Sequence, residues 1–234
     1  PAAELENRLD NVLLAIYLLF NEGYNSTQHE DLIRKDLMHE AMQLCELICR
    51  SRAVDHCKAH ALMALICFTA SRNEARQDAA GNILLLKEQD RKRWNKALIE
   101  KGIFHLEASS EAEQVNKYQL EAGIAYEHAR AASYASTNWR NILKCYDLMC
   151  QFYPSPIIEL NRAIVISEIN GPAEGIKAIE AITNLSALKK YYLLPATLGE
   201  LNWQLQNNKL ANQYFAQAMV LTKSAAERKL LQQK

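Results

Sequence analysis

The sequence predicts an all-α fold, a right-handed array of antiparallel helix pairs with one irregular loop near residues 72–88. Turn-forming residues are scarce, with 7 Gly and 5 Pro in 234 residues, whereas β-rich and disordered chains need many of them. Hydrophobic residues make up 49% of the chain and recur at helical spacing, which is enough for a sizeable core. We expect one continuous domain in two parts, a helical subdomain over 1–115 and helical repeats over 116–234.

The N-terminal part begins with three predicted helices. An apolar stripe that starts at Leu9 predicts the first helix over 4–20, and Gly23 is a predicted C-terminal stop. Residues 29–51 form the second predicted helix. Residues 53–71 form the third, which is apolar on most sides and is therefore predicted to be central.

The segment 72–88 lacks helical periodicity. Ala80-Gly81-Asn82 predicts a turn, and residues 83–86 predict a short extended run. A fourth helix is predicted from about Gln89 to Ser109.

The C-terminal half is repetitive. Gly199 is followed twelve positions later by Ala211, then by Phe215 and Ala218. Small residues at this spacing let two helices approach closely while a large one fills the groove, which is the pattern of a tetratricopeptide repeat (TPR). Looser copies precede it, and a polar helix near 224–233 is predicted to cap the stack.

Charge and cysteine content narrow the functional classes. Twenty-seven basic residues balance 27 acidic ones, so direct nucleic-acid contact is not expected. No apolar run is long enough to span a membrane, and no signal peptide is present. The six cysteines lie in apolar runs and are interpreted as reduced core residues of a cytoplasmic protein. The start at Pro1, without Met, suggests a fragment of a longer protein.

Six residues in the second and third helices raise the question of a metal site: His39, Cys45, Cys49, His56, Cys57 and His60. Their spacing lacks the CxxC pattern of common zinc sites, so core packing is the favoured interpretation and no metal or cofactor is predicted. No catalytic motif occurs, and a non-enzyme is expected.

Two polar clusters are candidate interaction sites. Asn21, Glu22 and Tyr24 form either a clasp toward a neighbouring domain or a simple helix stop. The second cluster comprises Arg72, Arg76, Asp78, Gln89, Asp90, Arg91 and Trp94. It forms either a binding surface or a set of local caps and ion pairs. Asn161 and Arg162 are a lesser candidate, best explained by a buried, hydrogen-bonded Asn and an exposed Arg.

Several separated motifs occur in one order. They are Leu18-Leu19-Phe20-Asn21-Glu22-Gly23-Tyr24, Ala75-Arg76-Gln77-Asp78 through Leu84-Leu85-Leu86, Gln89-Asp90-Arg91-Lys92-Arg93-Trp94, Tyr118-Gln119-Leu120 with His128-Ala129, and Ser155-Pro156 with Leu160-Asn161-Arg162-Ala163 and Gly171-Pro172. In this order and spacing the chain resembles the C-terminal, TPR-containing extension of extracytoplasmic-function sigma factors.

The resemblance implies a non-catalytic regulatory domain that acts in transcription initiation. Its expected partners are the N-terminal sigma regions in cis, core RNA polymerase or a regulatory protein, and the DNA-binding sigma regions themselves are not in this chain. Two alternatives stay open, a free-standing TPR-like peptide-binding scaffold, and a ligand sensor or enzyme that uses residues 72–94.

Overall fold

A computed structural model describes residues 2–25, 33–51, 56–112 and 114–233. Within these ranges the chain forms eleven α-helices and four short 3-10 turns, and no β-strand. The all-α prediction is confirmed. None of the helices in the described ranges combines the length and the apolar character needed to cross a membrane.

The chain divides into two compact units, of which the first comprises Pro1–Arg76 and Leu85–Thr137. The helices of this unit are α1 (Ala2–Tyr24), α2 (Lys35–Cys49), α3 (Cys57–Ala70), α4 (Lys96–Ser109) and α5 (Lys117–Arg130). Helix α3 packs against the other four, and its Leu62, Met63 and Ile66 are fully buried. The predicted central helix is thus confirmed, because a helix that is apolar on all sides needs neighbours all around it.

The ends of the first two helices differ from the prediction. Helix α1 does not stop at residue 20 but continues through Gly23 to Tyr24. A Cβ atom on Gly23 would lie 2.8 Å from the backbone nitrogen of Met38, so this glycine permits the close approach of α2 rather than ending α1. Helix α2 begins at Lys35 instead of residue 29, and the predicted positions 29–32 lie outside the described residues.

The third and fourth helices are also shorter than predicted. Helix α3 spans Cys57–Ala70, and part of its predicted first turn, residues 53–55, lies outside the described residues. Helix α4 begins at Lys96 rather than at Gln89, because the Asn95 side chain accepts a hydrogen bond from the Leu98 amide and caps it.

The irregular segment contains three 3-10 turns, Asn73–Ala75, Leu86–Glu88 and Arg91–Arg93. Gly81 adopts a φ of 78°, which confirms the predicted turn. The predicted extended run over 83–86 is reduced to one antiparallel bridge between Gln77 and Ile83. Its last residue enters a 3-10 turn because the Glu88 carboxylate accepts a hydrogen bond of 2.7 Å from the Leu85 amide.

The second unit comprises Gln77–Leu84 and Asn138–Lys234. Its helices are α6 (Trp139–Phe152), α7 (Pro156–Asn170), α8 (Pro172–Glu180), α9 (Leu193–Gln204), α10 (Asn208–Leu221) and α11 (Ala225–Gln232). Neighbouring helices pack in chain order, and Phe215 of α10 fills the groove at Gly199 of α9. Helix α5, which the sequence places in the C-terminal part, belongs to the first unit.

Candidate functional site

Tyr24, Arg72, Arg76, Arg91 and Trp94 come together in the first unit, and we call them the arginine cluster. Tyr24 is the last residue of α1, and Arg72 and Arg76 follow α3. Arg91 begins the 3-10 turn before α4, and Trp94 follows that turn. Sequence reasoning had assigned Tyr24 and the other four residues to separate candidate sites. The structure unites these two groups in one site.

Arg76 joins the end of α1 to the segment after α3. Its guanidinium lies 3.7 Å from the centroid of the Tyr24 ring and donates a hydrogen bond to the Tyr24 carbonyl oxygen. That carbonyl belongs to the last turn of α1, where oxygens lack helical partners. Arg72 donates a hydrogen bond of 2.8 Å to the Tyr24 hydroxyl, so both arginines hold the same tyrosine.

Arg91 anchors the opposite side of the cluster. It donates hydrogen bonds to the carbonyl oxygens of His128 and of Ala131, the latter at 3.1 Å, at the end of α5. Its guanidinium carbon lies 4.5 Å from the centroid of the Trp94 ring, which is buried. The Asp90 carboxylate accepts a hydrogen bond from the Lys92 amide and so caps the turn that carries Arg91.

Among the described residues, no carboxylate neutralises the positive charge of the cluster, since none of the ion pairs involves Arg72, Arg76 or Arg91. Burial lowers the pKa of Arg76 and of Arg91, and the nearby charge of Arg72 lowers both further. Burial, with Arg72 and Arg91, also lowers the pKa of His128 from 6.5 to about 4.

Two hydrogen-bond donors of the cluster are buried and have no acceptor among the described residues, Arg91 Nη2 and Trp94 Nε1. A buried donor without an acceptor costs free energy, and oxygen atoms are the acceptors that satisfy such donors. Together with the three arginines, these donors have the chemistry that suits a carboxylate or a similar oxyanion.

Asp78 and Gln89 are the remaining predicted residues of the second candidate site. Asp78 belongs to the second unit, where its carboxylate accepts hydrogen bonds from the amides of Ala80 and Asn82 at 2.9 and 2.8 Å. These bonds and one from the Asn82 side chain lower the pKa of Asp78 and fix its own loop. Gln89 is half-buried just before the turn that Asp90 caps.

The remaining candidates have local roles. The Asn21 side chain forms a hydrogen bond with the Tyr17 hydroxyl, and Glu22 is half-buried on the same helix. Arg162 pairs with Asp147 at 2.6 Å on the surface of the second unit. Asn161, within α7, is half-buried rather than buried.

A second group of reactive side chains joins three helices of the first unit. One ligand atom from each of Cys49, His60 and His105 lies within 4.8 Å of the other two. Its neighbours Cys45 and His105 lower the pKa of Cys49 to about 5, whereas the pKa of Cys45 is raised. Two of the three residues were among the six considered from the sequence. His105 was missed because it stands alone in a mostly apolar helix, far along the chain from His60.

Comparison with known proteins finds one matching family model and one similar protein. Residues 8–110 match a family of unknown function, DUF6596. The chain is 32% identical over 226 residues to "Uncharacterized protein R00370" of Rhizobium meliloti (strain 1021), an alignment that covers 97% of this chain and 53% of that protein. The chain therefore spans about half the length of the curated relative it matches. No solved structure matches.

Proposed function

We propose that this chain is a non-catalytic regulatory domain of a bacterial sigma factor that contacts another polypeptide during transcription initiation. The observation that carries the proposal is the arginine cluster. Four of its five residues, all except Arg72, come from three of the motifs on which the resemblance rests. The cluster brings together three arginines that lack a carboxylate partner among the described residues. An acidic side chain from a partner would supply the missing counter-charge.

The proposed partner is the N-terminal sigma part of the same protein, held in cis in the cytoplasm. The relative from Rhizobium is about twice as long as the region it shares with this chain, which agrees with a domain attached to a further part. A tethered acidic segment would dock at a high effective concentration, so a single carboxylate contact could matter. Core RNA polymerase is the second partner that the same surface would suit.

The second unit supplies a repeat architecture, which we propose is tetratricopeptide-like. Support comes from Gly199, where a Cβ atom would lie 2.7 Å from the Phe215 ring, and from Gly175, where one would overlap the Ser167 side chain. Small residues at these crossings allow the close helix pairs on which such repeats depend. Stacked pairs present extended surfaces that bind peptides or helices.

The test is transcription in vitro with the full-length protein, with and without this domain. Arg72→Gln removes the charge of a half-buried arginine of the arginine cluster. Lys92→Gln is the matched control, because it removes the charge of an exposed residue in the neighbouring turn. We expect that removing the domain and Arg72→Gln change promoter output in the same direction, whereas Lys92→Gln does not. Equal output from all four proteins would refute the proposal.

A second candidate function is an anion sensor at the same cluster. It is favoured by the two buried donors without acceptors among the described residues, Arg91 Nη2 and Trp94 Nε1. In that case phosphate or a small dicarboxylate would raise the melting temperature of this chain alone, and Arg72→Gln would abolish the increase. If the melting temperature of this chain rises only when the sigma part is added, and not with the anions alone, the result favours the regulatory domain over the anion sensor.

A further inference from the structure

We infer that Cys49, His60 and His105 form a zinc-binding site in the first unit. The three residues come from the end of α2, the first turn of α3 and the middle of α4. Their ligand atoms lie within 4.8 Å of one another, so side-chain rotations would bring them to the sulfur–nitrogen separation of about 3.6 Å that tetrahedral zinc requires. The site is separate from the arginine cluster, and the inference does not depend on the proposed function.

The two imidazoles already face each other with ligand nitrogens. His60 Nδ1 and His105 Nδ1 are 2.8 Å apart and share one hydrogen bond. With Zn–N bonds of about 2.0–2.1 Å in a tetrahedral site, the two nitrogens need a separation of about 3.4 Å. Small ring rotations would open this distance, and the ion would replace the shared proton.

Cys49 is the sulfur ligand of the set. Cys45 lies one turn before it on α2, and the Cys45 thiol donates a hydrogen bond of 3.5 Å to the Ala59 carbonyl oxygen. Zinc binds the thiolate form of cysteine, at about 2.3 Å. Cys45 itself is fully buried and does not belong to the group of three ligand atoms.

An outer carboxylate completes the arrangement. The second ring nitrogen of His105, Nε2, lies 3.9 Å from Glu46 Oε2, and Lys101 Nζ lies 2.7 Å from the same oxygen. Histidine ligands of zinc commonly direct their other nitrogen toward a carboxylate, which fixes the ring and raises its basicity. Glu46 lies on α2, one turn before Arg50 and three residues before Cys49. Helix α2 therefore carries both a zinc ligand, Cys49, and the carboxylate that faces the second ring nitrogen of another ligand.

The ligand set selects the metal. One thiolate and two imidazoles form a mixed soft and borderline set, which suits Zn²⁺ better than Mg²⁺ or Ca²⁺, since those prefer oxygen ligands. Three protein ligands leave a fourth position for water. Because each ligand belongs to a different helix, a bound ion would tie α2, α3 and α4 together and stabilise the unit that contains them.

The test is a zinc titration of the whole chain, reduced and stripped of metal, in competition with a chromogenic chelator. We expect a single tight site per chain, and Co²⁺ in its place should show a thiolate charge-transfer band. Cys49→Ala and His60→Gln should each weaken zinc binding by at least about 100-fold, more than the 10–100-fold typical of outer-shell changes. His39→Gln, an exposed histidine on α2, is the matched control and should bind as the unaltered chain does.

Glu46→Gln keeps the test valid should a ligand variant fail to fold. It leaves all three ligands in place and should weaken binding by about 10-fold or more while far-UV circular dichroism stays unchanged. Two results would overturn the inference: no zinc binding by the unaltered chain, or binding that survives both Cys49→Ala and His60→Gln in folded protein. The readout is metal binding, so a failed transcription experiment would leave this result standing.

Discussion

His128 allows the packing around the arginine cluster to be tested through pH. Its pKa is lowered from 6.5 to about 4, first because burial disfavours the charged ring and then because Arg72 and Arg91 repel it. The folded protein therefore keeps the ring neutral at pH values where the unfolded chain, with a pKa near 6.5, already binds a proton. The stabilisation is fully present above about pH 7.5.

The magnitude follows from the two pKa values of His128. As the pH falls below 6.5, the free energy of unfolding decreases by about 1.4 kcal/mol per pH unit, until the folded protein binds the proton near pH 4. Between about pH 7.5 and about pH 5 the loss amounts to about 2 kcal/mol, and it approaches about 3 kcal/mol below pH 4. Carboxylates with lowered pKa values, such as Asp78, contribute mainly at lower pH and do so equally in all variants.

The assay is urea denaturation at the two pH values, followed by far-UV circular dichroism. The unaltered chain should lose about 2 kcal/mol more than His128→Gln between about pH 7.5 and about pH 5. His39→Gln, which alters an exposed histidine of the same unit, should behave as the unaltered chain does. An equal loss in the unaltered chain and in His128→Gln would refute the placement of a buried neutral ring beside the arginines.

Substitutions at three positions test the local structure of the second unit, and the effect of each is measured as a change in the urea midpoint. Gly199→Ala should destabilise by about 1–3 kcal/mol, because the new Cβ atom would lie 2.7 Å from the Phe215 ring; an unchanged midpoint would show that the two helices are not in close contact. Gly81→Ala should cost about 1–2 kcal/mol through its φ of 78° alone, since its Cβ atom would meet nothing within 4 Å, and Gly81→Asn should cost less. Ser155→Ala should cost about 1 kcal/mol by removing the hydroxyl that caps α7, whereas Ser155→Asp should restore stability.

The sequence was sufficient to predict helix content and the central position of α3. Apolar periodicity is a local property, and a helix that is apolar on all sides has one stable location. Helix ends were predicted less well, as Gly23 illustrates. Glycine often stops a helix, yet here it lies inside α1 because Met38 of α2 needs the space of a missing side chain. The position of a packing partner is not visible in a local pattern.

The candidate site was predicted in part. Polar residues in a loop indicated Arg72, Arg76, Arg91 and Trp94, and the structure brings these four together with Tyr24. The sequence did not predict that Asp78 would accept hydrogen bonds from its own loop. Those bonds depend on the backbone geometry of the turn, which the residue types alone do not show.

The zinc ligands show the same limit of sequence reasoning. Spacing rules recognise ligands that share a helix or a loop, whereas Cys49, His60 and His105 lie on three helices and meet only through packing. A lone histidine in an apolar helix, such as His105, was the one available signal. Its burial at 3% exposure would be unfavourable without a polar partner, and His60 provides that partner.

The most direct test of the proposed function is binding between this chain and the separately purified sigma part of the full-length protein, measured by sedimentation velocity. The proposal predicts a complex that weakens with added salt and with Arg72→Gln, but not with Lys92→Gln, because an acidic segment is expected to contact the arginine cluster. Absence of a complex at low salt, or a complex indifferent to Arg72→Gln, would contradict it.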